Sequence, residues 1–284
     1  MFSLSDIFDK YKKDNVKPKE LIRPDSILPD PLPLADGVSI WQAVQFVSKA
    51  AKDEKAVAVY TPLCDVAEQA YDVQASSVPG LGRMIRAAVE RTLDLFMADD
   101  QGLLRCALNE YPSTQEFLKY HAANTVIFSL EIASGLAYTK DRLFEVALAA
   151  FYHDIGLAAY KDLVMKTEKL KRDEYEAVKH HSAEGVKLAH SIDASLSQSV
   201  QDTIMQEHER LDGSGYPLGL KDTQINEVSQ IVGLASAYEA MTHARVYGAT
   251  YTSMEATRLI VDNKKSFDPR IKKALINRIG VFPI

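Results

Sequence analysis

Residues 141–157 read DRLFEVALAAFYHDIGL, and the fold is decided here. The stretch is apolar nearly all round, the pattern of a helix buried in the middle of a domain. It then ends in a histidine beside a carboxylate, His153-Asp154. In a low-dielectric interior such a pair is costly unless each member has a partner, because an unpaired charge loses its hydration. Gly156 suits the position where the helix stops, so the pair is expected at a helix end, facing a cavity. Taken alone, the step also reads as a His-Asp hydrogen bond that merely closes a helix terminus.

The neighbouring segments extend the pattern. His121 lies in EFLKYHAANTVIFSLEIASGL (116–136), where Leu118, Val126 and Leu130 mark a buried stripe. His181 opens the helix KHHSAEGVKLAH (179–190), and His208 stands in the polar turn QEHERLDGSGYP (206–217). Histidines with carboxylates suit divalent transition metals, whereas an oxygen-only set suits Mg or Ca. Bundle cores build di-metal sites in this way, from side chains on facing helices. From about Gly80 to the C-terminus nearly every segment has helical spacing, which predicts an all-α bundle.

A chain of 284 residues with 46% hydrophobic content can bury a sizeable core. Its formal charge of −6 argues against a general DNA-binding surface. The two cysteines, Cys64 and Cys106, make neither a disulfide framework nor a Cys-x-x-Cys knuckle. No stretch reaches the roughly 18 apolar residues of a membrane span, and a cytoplasmic protein is expected. Residues 1–84 read as a small mixed N-terminal region, regulatory or dimerising. It holds a short helix carrying Leu4, Ile7, Phe8 and Tyr11, a proline-rich strap over 18–33, a helix from Ser39, and a short strand AVAVYTPL (56–63). Of the other histidines, His180, His190 and His243 are expected in solvent, with a place near the cavity as the alternative for His243 because Arg245 follows it. The charge run KTEKLKRDEYE (166–176) is expected as a solvated helix face.

In order, His121, His153-Asp154 with Ile155-Gly156, His181 and HERLDGSGYP (208–217) resemble the HD-GYP branch of the HD-domain metal-dependent phosphohydrolases. The likeness covers roughly residues 85–284 and includes the tail FDPRIKKALINRIGVFPI. It implies an HD-type helical bundle around divalent metal, usually iron or manganese, and hydrolysis of cyclic di-GMP in bacterial signalling. Carried over by position, His121, His153 and Asp154 would hold one ion. Asp154 would bridge to a second, held by His181, Glu207 and His208. Arg245 and Tyr216 would meet the substrate.

The chain also departs from the family pattern. Glu207 stands where the family has a histidine, and glutamate is a competent oxygen ligand. In LASAYEAM (234–241), Ser236 replaces a ligand aspartate, so the first ion is expected to bind weakly or not at all. Leu157 replaces a lysine that faces the phosphate, and Phe117 replaces an acidic ligand, with Glu116 adjacent. Two readings follow: a phosphodiesterase with one or two ions and reduced activity, or a degenerate module that binds a nucleotide or protein partner. A homodimer or a signalling partner protein is compatible with either.

Overall fold

The structure, a computed structural model, describes residues 53–72, 74–98, 100–243 and 250–279. The expected helix at 4–11, the proline strap and the helix from Ser39 lie outside these residues, as does Arg245. The helices run in the order α1 (Glu54–Ala70), α2 (Leu81–Ala98), α3 (Asp100–Leu108), α4 (Phe117–Gly135), α5 (Lys140–Tyr152), α6 (Lys161–Val164), α7 (Arg172–Val178), α8 (His181–Ile192), α9 (Gln198–Gln206), α10 (Glu227–Thr242), α11 (Ser253–Asp262) and α12 (Pro269–Ile279). No strand occurs among the described residues, where the all-α expectation holds.

The strand expected at 56–63 is instead the first half of α1. Eight residues of β-branched and aromatic character suggested a strand, but the helical spacing shows only over a longer span. Leu63, Ala67 and Ala70 recur at i, i+4 and i+7 and are all buried, while Val57 is exposed. Burial of that stripe outweighs local propensity and the backbone bond that Pro62 forfeits inside the helix.

Residues 54–284 form one compact unit. Residues 54–84, expected in the N-terminal region, therefore pack within the helical body: α1 lies on α2 and α4, and α2 lies on α5. At the centre stands α4, packed by α1, α3, α5, α10 and α12. Every residue from His121 to Ala133 is buried, which explains why the helix lacks a polar face. Helix α10 is nearly as apolar, and Phe128 meets Tyr238 edge to face across the α4–α10 contact, 5.3 Å between centroids.

Local chemistry sets the starts and stops of the helices that carry the polar cluster. Ser197 Oγ accepts the Val200 amide at the start of α9, and Asn226 Oδ1 accepts the Val228 amide at the start of α10. Helix α5 stops at Tyr152 and the chain continues as a 3₁₀ turn over Ile155–Tyr160. Gly156 matters here for close packing: a Cβ on it would sit 2.0 Å from the His181 carbonyl oxygen and 2.7 Å from the Gly185 nitrogen. The bare Cα lets the 3₁₀ turn that follows α5 touch the first turn of α8. Of the charge run 166–176, only the part from Arg172 is helical; the residues before it form a loop.

Candidate metal centre

The end of α5, the start of α8, the end of α9, the second turn of α4 and the middle of α10 meet at one buried cluster. His121, His153 and Asp154 present ligand-type atoms to one another, as do Asp154, His181, Glu207 and His208. The six metal-ligand candidates from the sequence are thus brought together as two groups that share Asp154. In the first group, His121 Nε2 lies 3.2 Å from His153 Nε2, and Asp154 Oδ2 lies 3.3 Å and 3.4 Å from those two nitrogens. In the second, Asp154 Oδ1 lies 3.3 Å from His181 Nε2, which is 3.2 Å from His208 Nε2. Glu207 Oε1 lies 3.8 Å from His181 Nε2 and in direct contact with His208 Nε2.

These separations fit a metal. Ligands about 2.1 Å from a shared ion stand about 3.0 Å apart at octahedral and about 3.4 Å apart at tetrahedral angles. The backbone orients the imidazoles to suit: His153 Nδ1 contacts the Ala150 carbonyl at 2.7 Å and His181 Nδ1 contacts the Val178 carbonyl at 2.6 Å. A proton on each Nδ1 leaves the Nε2 lone pair facing the cluster, the usual arrangement of histidine ligands. Among the described residues, Asp154 Oδ1 and Glu207 Oε1 are buried without a hydrogen-bond donor of good geometry, and imidazole nitrogens face them.

Electrostatics agree with the geometry. Burial alone would raise the Asp154 carboxyl, but the imidazoles of His153, His121 and His181 outweigh it and hold the group well below the usual range. Glu207 is likewise raised by burial and brought down to about 2 by His208 and His181. Burial lowers His181, yet Asp154 and Glu207 push it up to about 10, whereas burial keeps His208 below its ordinary value. The cluster demands positive charge, which a proton or a divalent cation can supply.

Around this centre the departures have definite positions. Ser236 on α10 places its Oγ 3.4 Å from His121 Nε2, on the cluster side of that ring. Leu157 and Phe117 are packed in the apolar core, and Glu116 pairs with Lys119 near the surface, away from the cluster. Tyr216 stacks on His208 at 4.4 Å between centroids. Lys179 Nζ lies 5.5 Å from the Tyr216 ring centre, a cation beside the cluster that the sequence reading did not single out. His180 and His190 are exposed as expected. His243, expected in solvent, is buried at 4% exposure: its ring packs on Tyr111, 5.0 Å between centroids, at the end of an apolar helix.

The loop after His208 is held by groups that sequence reasoning also missed. The Glu209 carboxylate accepts the amides of Leu218, Gly219 and Leu220 at 2.6–3.0 Å, and Arg210 donates to the carbonyls of Glu207 and Glu209. Gly215 permits a close backbone approach, since a Cβ there would lie 2.4 Å from the Glu209 Cα. Only Glu209 carried a signal, as an acid three residues before the loop's aspartate in an otherwise polar turn. That was too weak to separate it from a surface acid.

Comparison with known proteins follows the same lines. A family model described as an HD domain matches residues 109–271. A cyclic di-GMP phosphodiesterase of Pseudomonas aeruginosa is 29% identical over 174 residues, 61% of this chain and 42% of that protein. The cyclic di-GMP phosphodiesterase PdeB of Borreliella burgdorferi is 32% identical over 166 residues, 58% of this chain and 43% of that protein. The chain therefore spans less than half the length of these two relatives. Among solved structures, Bd1817, an HDG"Y"P protein from Bdellovibrio bacteriovorus, superposes with a TM-score of 0.64 at 17% identity, over 84% of this chain and 76% of that one. At that identity the likeness concerns the fold.

Proposed function

The chain belongs to the HD-domain family, in its HD-GYP branch, and from that premise we propose that it is a metal-dependent phosphodiesterase hydrolysing cyclic di-GMP. The observation that carries this reading is the buried pair of ligand groups joined through the two oxygens of Asp154. His121, His153 and Asp154 would hold one divalent ion, and Asp154, His181, Glu207 and His208 a second. Such ions, when bound, polarise phosphoryl oxygens and bring the pKa of water toward neutrality. Iron or manganese suits the mixed imidazole and carboxylate donors.

The protein's own part is orientation and charge. Asp154 and His153 are assigned the catalytic role from the sequence pattern, with the Ala150 carbonyl fixing the direction of the His153 ring. Tyr216, braced on His208, offers an aromatic wall at the mouth of the cluster, suited to a guanine or ribose face. Arg245 is assigned as a bidentate phosphate donor from the sequence pattern alone. Cys64 and Cys106 form no disulfide, in keeping with a reducing, cytoplasmic setting. None of the described helices is long and apolar enough to cross a membrane.

The test is a metal count by elemental mass spectrometry on protein purified without oxygen or chelator, alongside a chromatographic assay of cyclic di-GMP. The expected result is at least one ion per chain and conversion to the linear dinucleotide. Asp154→Ala should empty the four-residue group and abolish turnover. A metal-free wild-type protein, or full occupancy in Asp154→Ala, would overturn the assignment.

A further inference from the structure

A second carboxylate lies on the far edge of His121 and takes no part in either ligand group. Glu239 is fully buried on α10, three residues after Ser236 and so about one turn along the same helix. Its Oε2 contacts His121 Nδ1. Its Oε1 accepts the Tyr111 hydroxyl and, at 3.2 Å, the Asn124 amide. Asn124 in turn accepts the Tyr60 hydroxyl at 2.7 Å. Helix α10 thus meets one imidazole on both edges, with the Ser236 hydroxyl toward Nε2 and the Glu239 carboxylate on Nδ1.

We propose that Glu239 is a positioning residue for the first ion, acting through His121. The inference rests on the metal-binding reading above and adds a residue to it. His153 and His181 direct Nδ1 to neutral backbone carbonyls, but His121 directs it to a carboxylate held by two further side chains. A carboxylate on Nδ1 fixes the tautomer that leaves the Nε2 lone pair free and makes the ring a stronger donor. The first group has no carboxylate besides the shared Asp154, and the charge that Ser236 does not supply directly is delivered to it through the ring. The neighbouring His243, whose Nδ1 lies 3.4 Å from Glu239 Oε1, completes the buried setting.

The test is a titration of chelator-treated full chain with Mn²⁺, followed by calorimetry, comparing wild type with Glu239→Gln. Glutamine keeps the size and most of the hydrogen bonding and removes the charge. Two binding events are expected in the wild type. In the variant the weaker should lose ten- to a hundredfold in affinity, while the tighter, at Asp154, His181, Glu207 and His208, stays within about twofold. A role limited to packing would instead lower the thermal stability of the metal-free protein and weaken both events alike, and that result overturns the proposal, as would two unchanged affinities. Tyr111→Phe, which removes one support of Glu239, should weaken the same event by a smaller factor and carries the test if Glu239→Gln does not fold. A wild type that binds one ion overturns this inference and leaves the metal-binding reading standing. A wild type that binds none removes the reading itself.

Discussion

Asp154 shares its two oxygens between the ligand groups, so the remaining carboxylate decides which group is richer in charge. That carboxylate is Glu207, which stands with His181 and His208, while the corresponding place in the first group is taken by Ser236. Oxygen anions raise affinity for divalent ions more than a neutral hydroxyl does, so the four-residue group should load first. Ser236→Asp should therefore add a charged ligand beside His121 Nε2 and strengthen the weaker Mn²⁺ event at least tenfold. The same titration checks it, and an unchanged weaker event would show that the Ser236 position does not face the ion. The residue scale was also the most legible one: His121, His153, Asp154, His181 and His208 could be named from spacing and residue type, and Glu207 from the resemblance to the family pattern. Glu239 could not, because an acid inside an apolar helix pattern looks the same whether it faces a ligand's far edge or a distant cation.

At the scale of elements, helix ends rather than helix middles place most of the cluster, and each end is tied to a neighbour. Helix α8, which begins with His181, ends at Asp193, whose carboxylate takes Arg86 of α2 at 2.6 Å and the Ser195 hydroxyl and amide. Burial raises the Asp193 carboxyl, but Arg86 and Ser195 outweigh it and leave the group below its ordinary value. A carboxyl depressed in the folded state stabilises fully above its unfolded pKa, about 3.9, and that contribution is lost as the pH falls through the folded value. Asp193→Asn should thus cost about 1–2 kcal/mol at pH 7, and the gap in melting temperature should close below about pH 4. Melting curves from pH 7 to 2.5 test this; a constant gap would mean that the loss is one of packing. Helix α1 shows where reading by element failed. A window of eight residues held a strand-like composition, and only the buried stripe reaching Ala70 reveals the helix.

For the molecule as a whole, the cluster joins segments up to 118 residues apart, as in the contact of His121 with Glu239. It concentrates buried carboxylates that need a counter-charge. A cation that binds only the folded state stabilises it by mass action. Mn²⁺ at about a hundred times its dissociation constant should add about 2.7 kcal/mol, which at about 2–4 °C per kcal/mol is roughly 5–11 °C in melting temperature for a domain of this size. Thermal unfolding with Mn²⁺ and with chelator measures the difference, and equal melting points would mean that the folded chain holds no ion. Away from the cluster, Arg278 of α12 reaches the buried Glu131 of α4 at 2.8 Å. The last described helix is thereby fastened to the central one.

The sequence by itself determined the helical class, the order of the cluster-bearing segments and five of the residues that converge, His121, His153, Asp154, His181 and His208. Those features follow from hydrophobic period and residue chemistry, which are local. Tertiary structure alone decided that residues 54–84 join the helical body, that Gly156 is required by the backbone of α8, that His243 is buried and that Glu239 backs His121. Each of these depends on which surfaces meet across long separations in the chain, and a one-dimensional pattern carries the tendency of a segment to bury a face without naming the face it is buried against.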